Sequence, residues 1–351
     1  RFSSCSEITF IMLDRKFVVA NADAVKENCE NRNVPHAVDQ MLELESQRRD
    51  LLKQVEEFNR DANAVSKTIG QAKSDEEREE RKARGRELRE QKDTAQKQHD
   101  EVDEKIREIE RQLPNMAHPD APIGVDDKAN LELGRGKHDP RTFDFPPRDH
   151  VEIGQQWDWI DFEGGARTSG AGFYFLKGDL VLLDLALQQY AVSELVRRGF
   201  IPTTTPDLAR DSILEGIGFM PRGPETQVYS VENSDLCLIG TAEITLGGLH
   251  SGETFDAEQL PLKLCGISHC FRTEAGAAGR ASRGLYRVHQ FTKIEMFIFC
   301  LPEQSDALHE ELRQIECDLF DAIEVPYRVV DTATGRSEEH TSELQSRQYL
   351  V

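Results

Sequence analysis

Between Cys270 and Phe297 the chain places arginine, carboxylate and aromatic side chains at close spacing. Two apolar, strand-like segments flank a loop from Ala275 to Gly284 that is rich in glycine, alanine and arginine. That order predicts an antiparallel hairpin with a long tip. Alternation along the second strand puts Phe291, Lys293 and Glu295 on one face, and Thr292, Ile294 and Met296 on the other. Arg272 and Glu274 share a face of the first strand for the same reason. One surface then holds a guanidinium for phosphate, a ring for a base and a carboxylate for an amine. Residue types alone also allow a plainer reading, a surface hairpin whose charges pair with each other.

The order of residues is more specific than their types. Phe271-Arg272-Thr273-Glu274, the loop, and Arg287-x-x-Gln290-Phe291-x-x-x-Glu295 closely resemble motif 2 of class II aminoacyl-tRNA synthetases. The run AGAAGRASRGLYRVHQFTKIE resembles the seryl-tRNA synthetase version in particular. The resemblance implies an α+β fold: an antiparallel two-helix coiled-coil arm, then a class II catalytic domain on an antiparallel sheet. It implies a serine–tRNA ligase that makes seryl-adenylate from L-serine and ATP, with Mg2+, and passes the seryl group to tRNA(Ser), and by the same resemblance to tRNA(Sec). Arg272 and Arg287 would be the catalytic arginines, Arg272 bridging the α-phosphate and the substrate carboxylate, Arg287 meeting the distal phosphates. Phe291 would stack on adenine, with Thr273, Glu274 and Val288 lining the ATP site. Glu295 would bind the serine ammonium, and Thr241, Ala242, Glu243 and Arg272 would complete the serine site. Read on its own, Thr241 is a helix cap after the strand Leu236–Ile239 and Glu243 a first-turn acid, which is compatible with that role. No metal ligand is expected in this chain; the family's Mg2+-binding glutamate is expected in a segment that the chain lacks.

An arm must position the RNA. Leu44, Arg48, Leu51, Val55, Phe58, Ala62, Val65 and Ile69 step by fours and threes, the seam of a coiled coil. The pattern breaks at Gly70–Asp75 and resumes in Leu88, Ala95, Val102, Ile106, Ile109 and Leu113 before Pro114 stops it. Near the tip lie Arg78, Arg81, Lys82, Arg84, Arg86, Arg89 and Lys92, interleaved with glutamates. Charge alone favours a solvated flank. Their place at the far end of a rigid arm points instead to tRNA phosphates. A net charge of −21 over 351 residues confines any RNA contact to such a local patch.

The remaining boundaries follow from composition. Met116 to Pro147 is proline- and glycine-bearing, so residues 121–150 read as a linker with short extended pieces between an arm domain (12–120) and a catalytic domain (151–335). Leu180 to Arg198 predicts a helix with a continuous apolar face, followed by Gly199-Phe200-Ile201-Pro202; this resembles motif 1, which implies a homodimer. The seven cysteines form no CxxC pair and suggest reduced thiols in a cytoplasmic protein. Cys265 and Cys270, with His269 between them, read as buried inert thiols rather than metal ligands. No apolar run reaches the roughly 20 residues needed to span a bilayer, so no membrane partner is expected. Residues 1–11 read as upstream of a natural start at Met12, and the stretch from Arg336 to Val351 as translated library adapter, with motif 3 missing. On that reading the chain as written is expected to be inactive. The alternative to the ligase is a synthetase-like binding or carrier-ligase protein without tRNA charging, against which the arm argues, since an arm needs a long RNA to touch.

Overall fold

The computed structural model describes residues 13–219, 228–274 and 283–335, and the backbone of 349–350. The chain divides into two units, residues 11–116 and a second that takes up residue 117 onward.

The first unit opens with α1 (Arg15–Ala20) and α2 (Ala22–Asn31), then two long helices, α3 (Val38–Thr68) and α4 (Asp75–Glu110). The predicted seam is the buried face: Val55 and Ala62 of α3, Leu88 and Ala95 of α4. Arg48 lies 3.2 Å from His99, whereas near the tip Arg81 donates to the carbonyl of Thr68. Contacts therefore descend α4 as they ascend α3, and the helices are antiparallel. At 31 and 36 residues they run about 45–55 Å. Ser74 turns the corner by accepting the Glu77 N–H at 3.1 Å, in the turn foreseen at Gly70–Asp75.

The base of the arm has its own core, built on Val18, Val25, Cys29, Val38, Met41, Ile106 and Leu113. Two carboxylates, Glu45 and Glu110, are buried at its rim, 4% and 2% exposed. Each is matched by guanidinium groups, without which burial would be costly. Arg15 donates to Glu110 and to Asp103, both at 2.6 Å, and Arg48 and Arg49 hold Glu45 at 2.7 and 2.8 Å. Burial pushes the Glu45 carboxyl up, but its arginines outweigh that and keep it below the usual glutamate range.

The first strand of the second unit lies within the stretch read as a linker. There β1 (Leu131–Arg135) forms, followed by α5 (His150–Gln156), β2 (Ile160–Asp161), α6 (Phe162–Ser169) and β3 (Phe175–Leu176). Next come α7 (Asp179–Arg197), β4 (Ile201–Thr204), β5 (Leu208–Arg210) and α8 (Asp211–Gly216). After them are β6 (Tyr229–Ser230), β7 (Leu236–Leu238), α9 (Ala242–Leu249), β8 (Leu262–Phe271) and β9 (Gln290–Phe299). The series ends with α10 (Ser305–Ala322), β10 (Arg328–Asp331) and β11 (Tyr349–Leu350).

The central sheet has the order β4-β8-β9, with β4 parallel to β8 and β8 antiparallel to β9 over ten residue pairs. One face packs Cys265, Ile294, Met296 and Ile298 against Leu195, Ile315, Leu312 and Leu319, which belong to α7 and α10. The other packs Leu264, Phe297 and Phe299 against Ala242 and Leu246 of α9. A smaller sheet, β5-β7-β6, closes over Leu214, Ile239 and Ile244. β1 pairs with β10, so the proline-bearing stretch is built into a sheet of the second unit rather than running free. β11 pairs with the other side of β10. The rest of residues 336–351, like residues 1–12 and the hairpin tip 275–282, lies outside the described residues.

Candidate active site

The hairpin sets the site because its register is long and regular. Cys270 stands opposite Phe291, Ser268 opposite Lys293 and Gly266 opposite Glu295. Phe291, Lys293 and Glu295 therefore share the face that α9 approaches, as alternation predicts. Gly266 permits that approach, since a Cβ there would lie 2.8 Å from the Ala242 methyl and 2.9 Å from Leu246. The two cysteines of β8 are fully buried and five residues apart, hence on opposite faces. Burial pushes the Cys265 thiol up to about 11, which suits an inert side chain.

Thr241 caps α9, its Oγ accepting the Glu243 N–H at 3.3 Å, and its hydroxyl donates to Glu295 Oε2 at 2.6 Å. Lys293 reaches the same pair, with Nζ 3.3 Å from the Thr241 hydroxyl and 2.6 Å from Glu295 Oε2. Burial lowers the Lys293 ammonium, but the Glu295 carboxylate outweighs it and holds the lysine above its ordinary value. Thr241, Ala242, Glu243 and Glu295 are all buried, none more than 9% exposed. The result is a carboxylate with an internal cation, in which both the Thr241 and the Lys293 contacts fall on Glu295 Oε2. Sequence reasoning had placed Lys293 on this face without giving it a part; its tie to Thr241 joins residues 52 apart in sequence.

Arg272 follows the end of β8. Its Nε donates to the Gly240 carbonyl at 3.3 Å, one residue before Thr241, and its guanidinium lies 5.5 Å from the Phe291 ring centre. The hairpin root is closed by Arg287, which pairs with Glu274. Glu274 adopts a left-handed backbone (φ 53°), a conformation that costs a side-chain-bearing residue about 1 kcal/mol or more. Val288 is buried, 8% exposed. His289 locks the root from behind: its Nδ1 bonds the Arg272 carbonyl at 2.9 Å and its N–H donates to Gly172 O at 3.1 Å. No sequence signal singled out His289. Thr241, Glu295, Arg272 and Phe291 are thus drawn together, with Arg287 and Glu274 at the hairpin root.

Glu316 lies on α10 among other acidic residues, yet its carboxyl is pushed up to about 7, first by burial and then by Glu295. A raised carboxyl favours the fold while protonated, so this contribution is full below the ordinary glutamate pKa and is lost as pH rises through about 7. Glu316→Gln should therefore raise the unfolding temperature at pH 8, by about 2–4 °C for each kcal/mol in a domain of this size, and leave it nearly unchanged at pH 5. Equal gains at both pH values, in melts followed by circular dichroism, would contradict this.

The arm's basic residues separate into two sets. Arg81 is tied to Thr68 and Glu77, Lys82 to Glu79 and Arg84 to Glu87. Arg78, Arg86 and Arg89 are exposed, and Lys92 half-buried; among the described residues these four form no ion pair.

Residues 12–117 match the model of the seryl-tRNA synthetase N-terminal domain, and residues 227–346 that of the class II tRNA synthetase core domain (G, H, P, S and T). The chain is 59% identical over 324 residues to a serine–tRNA ligase of Rhodopirellula baltica, covering 92% of this chain and 76% of that protein. This chain belongs to the seryl-tRNA synthetase family. It is therefore a member of an enzyme family of the aminoacyl-tRNA ligase class. A serine–tRNA ligase of Treponema denticola is 49% identical over the same shares. The seryl-tRNA synthetase of Pyrococcus horikoshii, solved with ATP, superposes with a TM-score of 0.85 at 32% identity, over 97% of this chain and 83% of that one. The synthetase core match runs to residue 346, past the boundary at 335 drawn from the sequence. Among the described residues no helix is long and apolar enough to cross a membrane.

Proposed function

We propose that this seryl-tRNA synthetase family member activates L-serine with ATP and transfers the seryl group to tRNA(Ser), and by family resemblance to tRNA(Sec). The observation that carries the reading is the Thr241–Lys293–Glu295 cluster beside Arg272, with Thr241 and Glu295 buried: carboxylate for an ammonium, guanidinium for a carboxylate and a phosphate. In the first step a serine carboxylate oxygen attacks the α-phosphorus of ATP, and the bond to pyrophosphate breaks. In the second, a hydroxyl of the tRNA 3′-terminal ribose attacks the seryl carbonyl and AMP leaves. The first step needs no base, because its nucleophile is already an anion; in the second the hydroxyl proton passes to the phosphate of the departing AMP. Catalysis is positioning and neutralisation of phosphate charge. Arg272 spans α-phosphate and carboxylate, Arg287 exchanges Glu274 for the distal phosphates, and Phe291 supports adenine, with Thr273, Glu274 and Val288 around the nucleotide. Glu295 holds the serine ammonium, with Thr241, Ala242 and Glu243 alongside.

Mg2+ is proposed only as the companion of ATP. Among the described residues no group of three or more acidic, histidine or cysteine side chains suits a metal ion. The apolar face of α7 supports a homodimer: Leu182, Leu183, Leu185 and Leu187 are 45–64% exposed within one chain. A cytoplasmic enzyme with an arm domain and a catalytic domain completes the proposal. Serine-dependent exchange of label between pyrophosphate and ATP, followed by charging of tRNA(Ser), tests it in this chain and in a polypeptide of the relatives' full length. Exchange driven by another amino acid in preference to serine would overturn it.

For the arm, the exposed and unpaired arginines are the proposed tRNA contacts, with Lys92, Lys82 and Arg84 behind them and Arg81 holding the tip together. Replacing Arg78, Arg86 and Arg89 by glutamine should weaken tRNA binding and flatten its dependence on log salt concentration by about 2–3 units. Serine activation should be untouched. Unchanged affinity in a filter-binding salt titration would return these arginines to a solvated flank.

A further inference from the structure

The hairpin's return strand is fastened from outside the hairpin. α5 starts at His150 and is capped by Asp149, whose Oδ1 accepts the Glu152 N–H at 2.9 Å. The other carboxylate oxygen of Asp149 holds Arg283 Nε at 2.9 Å. His150 accepts the Leu285 N–H on Nε2 at 2.9 Å, and its ring meets Tyr286 edge-on with centroids 4.9 Å apart. Between these contacts Gly284 has φ 67°, and it lies so close to α5 that a Cβ would sit 2.2 Å from His150 Nε2 and 2.5 Å from Val151. Each of residues 283 to 286 is thus engaged by residues 149 to 151, and the next residue is Arg287.

We propose that Asp149 and His150 are positioning residues for the nucleotide: they clamp the turn Gly284–Tyr286 so that Arg287 enters the hairpin root at a fixed place. The proposal rests on the reading of that hairpin as an ATP site. The clamp buries little, with Tyr286 79% exposed and the Arg283 side chain 64% exposed, so it adds little to global stability. What it does fix is backbone, and a misplaced phosphate ligand is costly to binding and rate. The exposed Asp149–Arg283 pair is screened by solvent and the weaker of the two ties. The His150 bond is the stronger, and it requires that Nε2 carry no proton.

His150→Phe keeps a ring for Tyr286 and removes the acceptor; His150→Gln keeps an acceptor near the place of Nε2. Hydrogen–deuterium exchange of the peptide holding the Leu285 amide, without nucleotide, should be about 3- to 10-fold faster in His150→Phe, the equivalent of one net hydrogen bond. His150→Gln should recover most of the protection. By calorimetry ATP should bind His150→Phe about 3- to 10-fold more weakly, with serine affinity unchanged. Exchange in His150→Phe equal to the unmodified protein would show that no clamp exists. Faster exchange with ATP and serine weakened together, or with neither weakened, would make the contact a support of the fold and overturn the positioning role. An unmodified protein that bound no ATP would remove the nucleotide role and the ATP reading together, while the exchange arm would still decide whether the clamp is present.

Discussion

Arg272→Ala is expected to weaken ATP binding about 10²-fold and to lower the rate of serine-dependent pyrophosphate exchange by about 10²–10³. Three features of its surroundings make the loss large. The guanidinium hangs from the end of a ten-residue strand pairing, so its backbone is fixed by the register of β8 on β9. Its Nε is spent on the Gly240 carbonyl at 3.3 Å, which orients the fork and leaves the terminal nitrogens for a ligand. The Phe291 ring, 5.5 Å away, steadies the group and places it beside the proposed adenine stack. Lysine is a poor replacement, because a single ammonium cannot serve a phosphate and a carboxylate with the same two-pronged geometry. Arg272→Lys should therefore recover only a small part of the loss. Serine affinity should fall as well, since the substrate carboxylate shares this partner. Near-normal exchange in Arg272→Ala would remove the residue from the site.

The seam of the arm and the faces of the hairpin were legible because each rests on a local inside-or-outside rule. A heptad step places Val55, Ala62, Leu88 and Ala95 inward whatever follows them, and alternation alone puts Lys293 beside Phe291 and Glu295. What escaped depends on partners distant in the chain. β1 lies in a stretch punctuated by proline and glycine, and only its pairing with Arg328–Asp331, nearly two hundred residues later, makes it a strand. Glu316 sits among other glutamates on an amphipathic helix, and nothing in that local pattern shows which of them leans toward the sheet. The reach of Arg81 to the Thr68 carbonyl across the turn ties the two helices at the tip, a contact that no local pattern shows. The left-handed backbone at Glu274 is equally silent in sequence, because a residue other than glycine gives no sign of it.

Glu295→Ala is expected to weaken serine binding by about 10²-fold or more while leaving ATP affinity within about twofold. The direct loss is the ammonium's partner. The larger part comes from what the substitution leaves behind. Lys293 Nζ now lies 2.6 Å from Glu295 Oε2 and is only partly exposed, its side chain at 35%. Without the carboxylate that ammonium faces the incoming serine ammonium with no charge between them, so an attractive pocket becomes a repulsive one. Thr241 loses the acceptor of its 2.6 Å bond at the same time. Glu295→Gln keeps the shape and an acceptor for Thr241 but not the charge, and should fall between the two. Removing the stranded cation provides the decisive comparison: Lys293→Met added to Glu295→Ala should regain part of the lost serine affinity, whereas Lys293→Met alone should cost some. This non-additivity is the signature of two groups acting on one ligand charge. Calorimetric titration with serine across the four proteins measures it directly. Strict additivity, or an equal loss of ATP and serine binding in Glu295→Ala, would show that the Thr241–Lys293–Glu295 cluster supports the fold and does not hold the substrate amine.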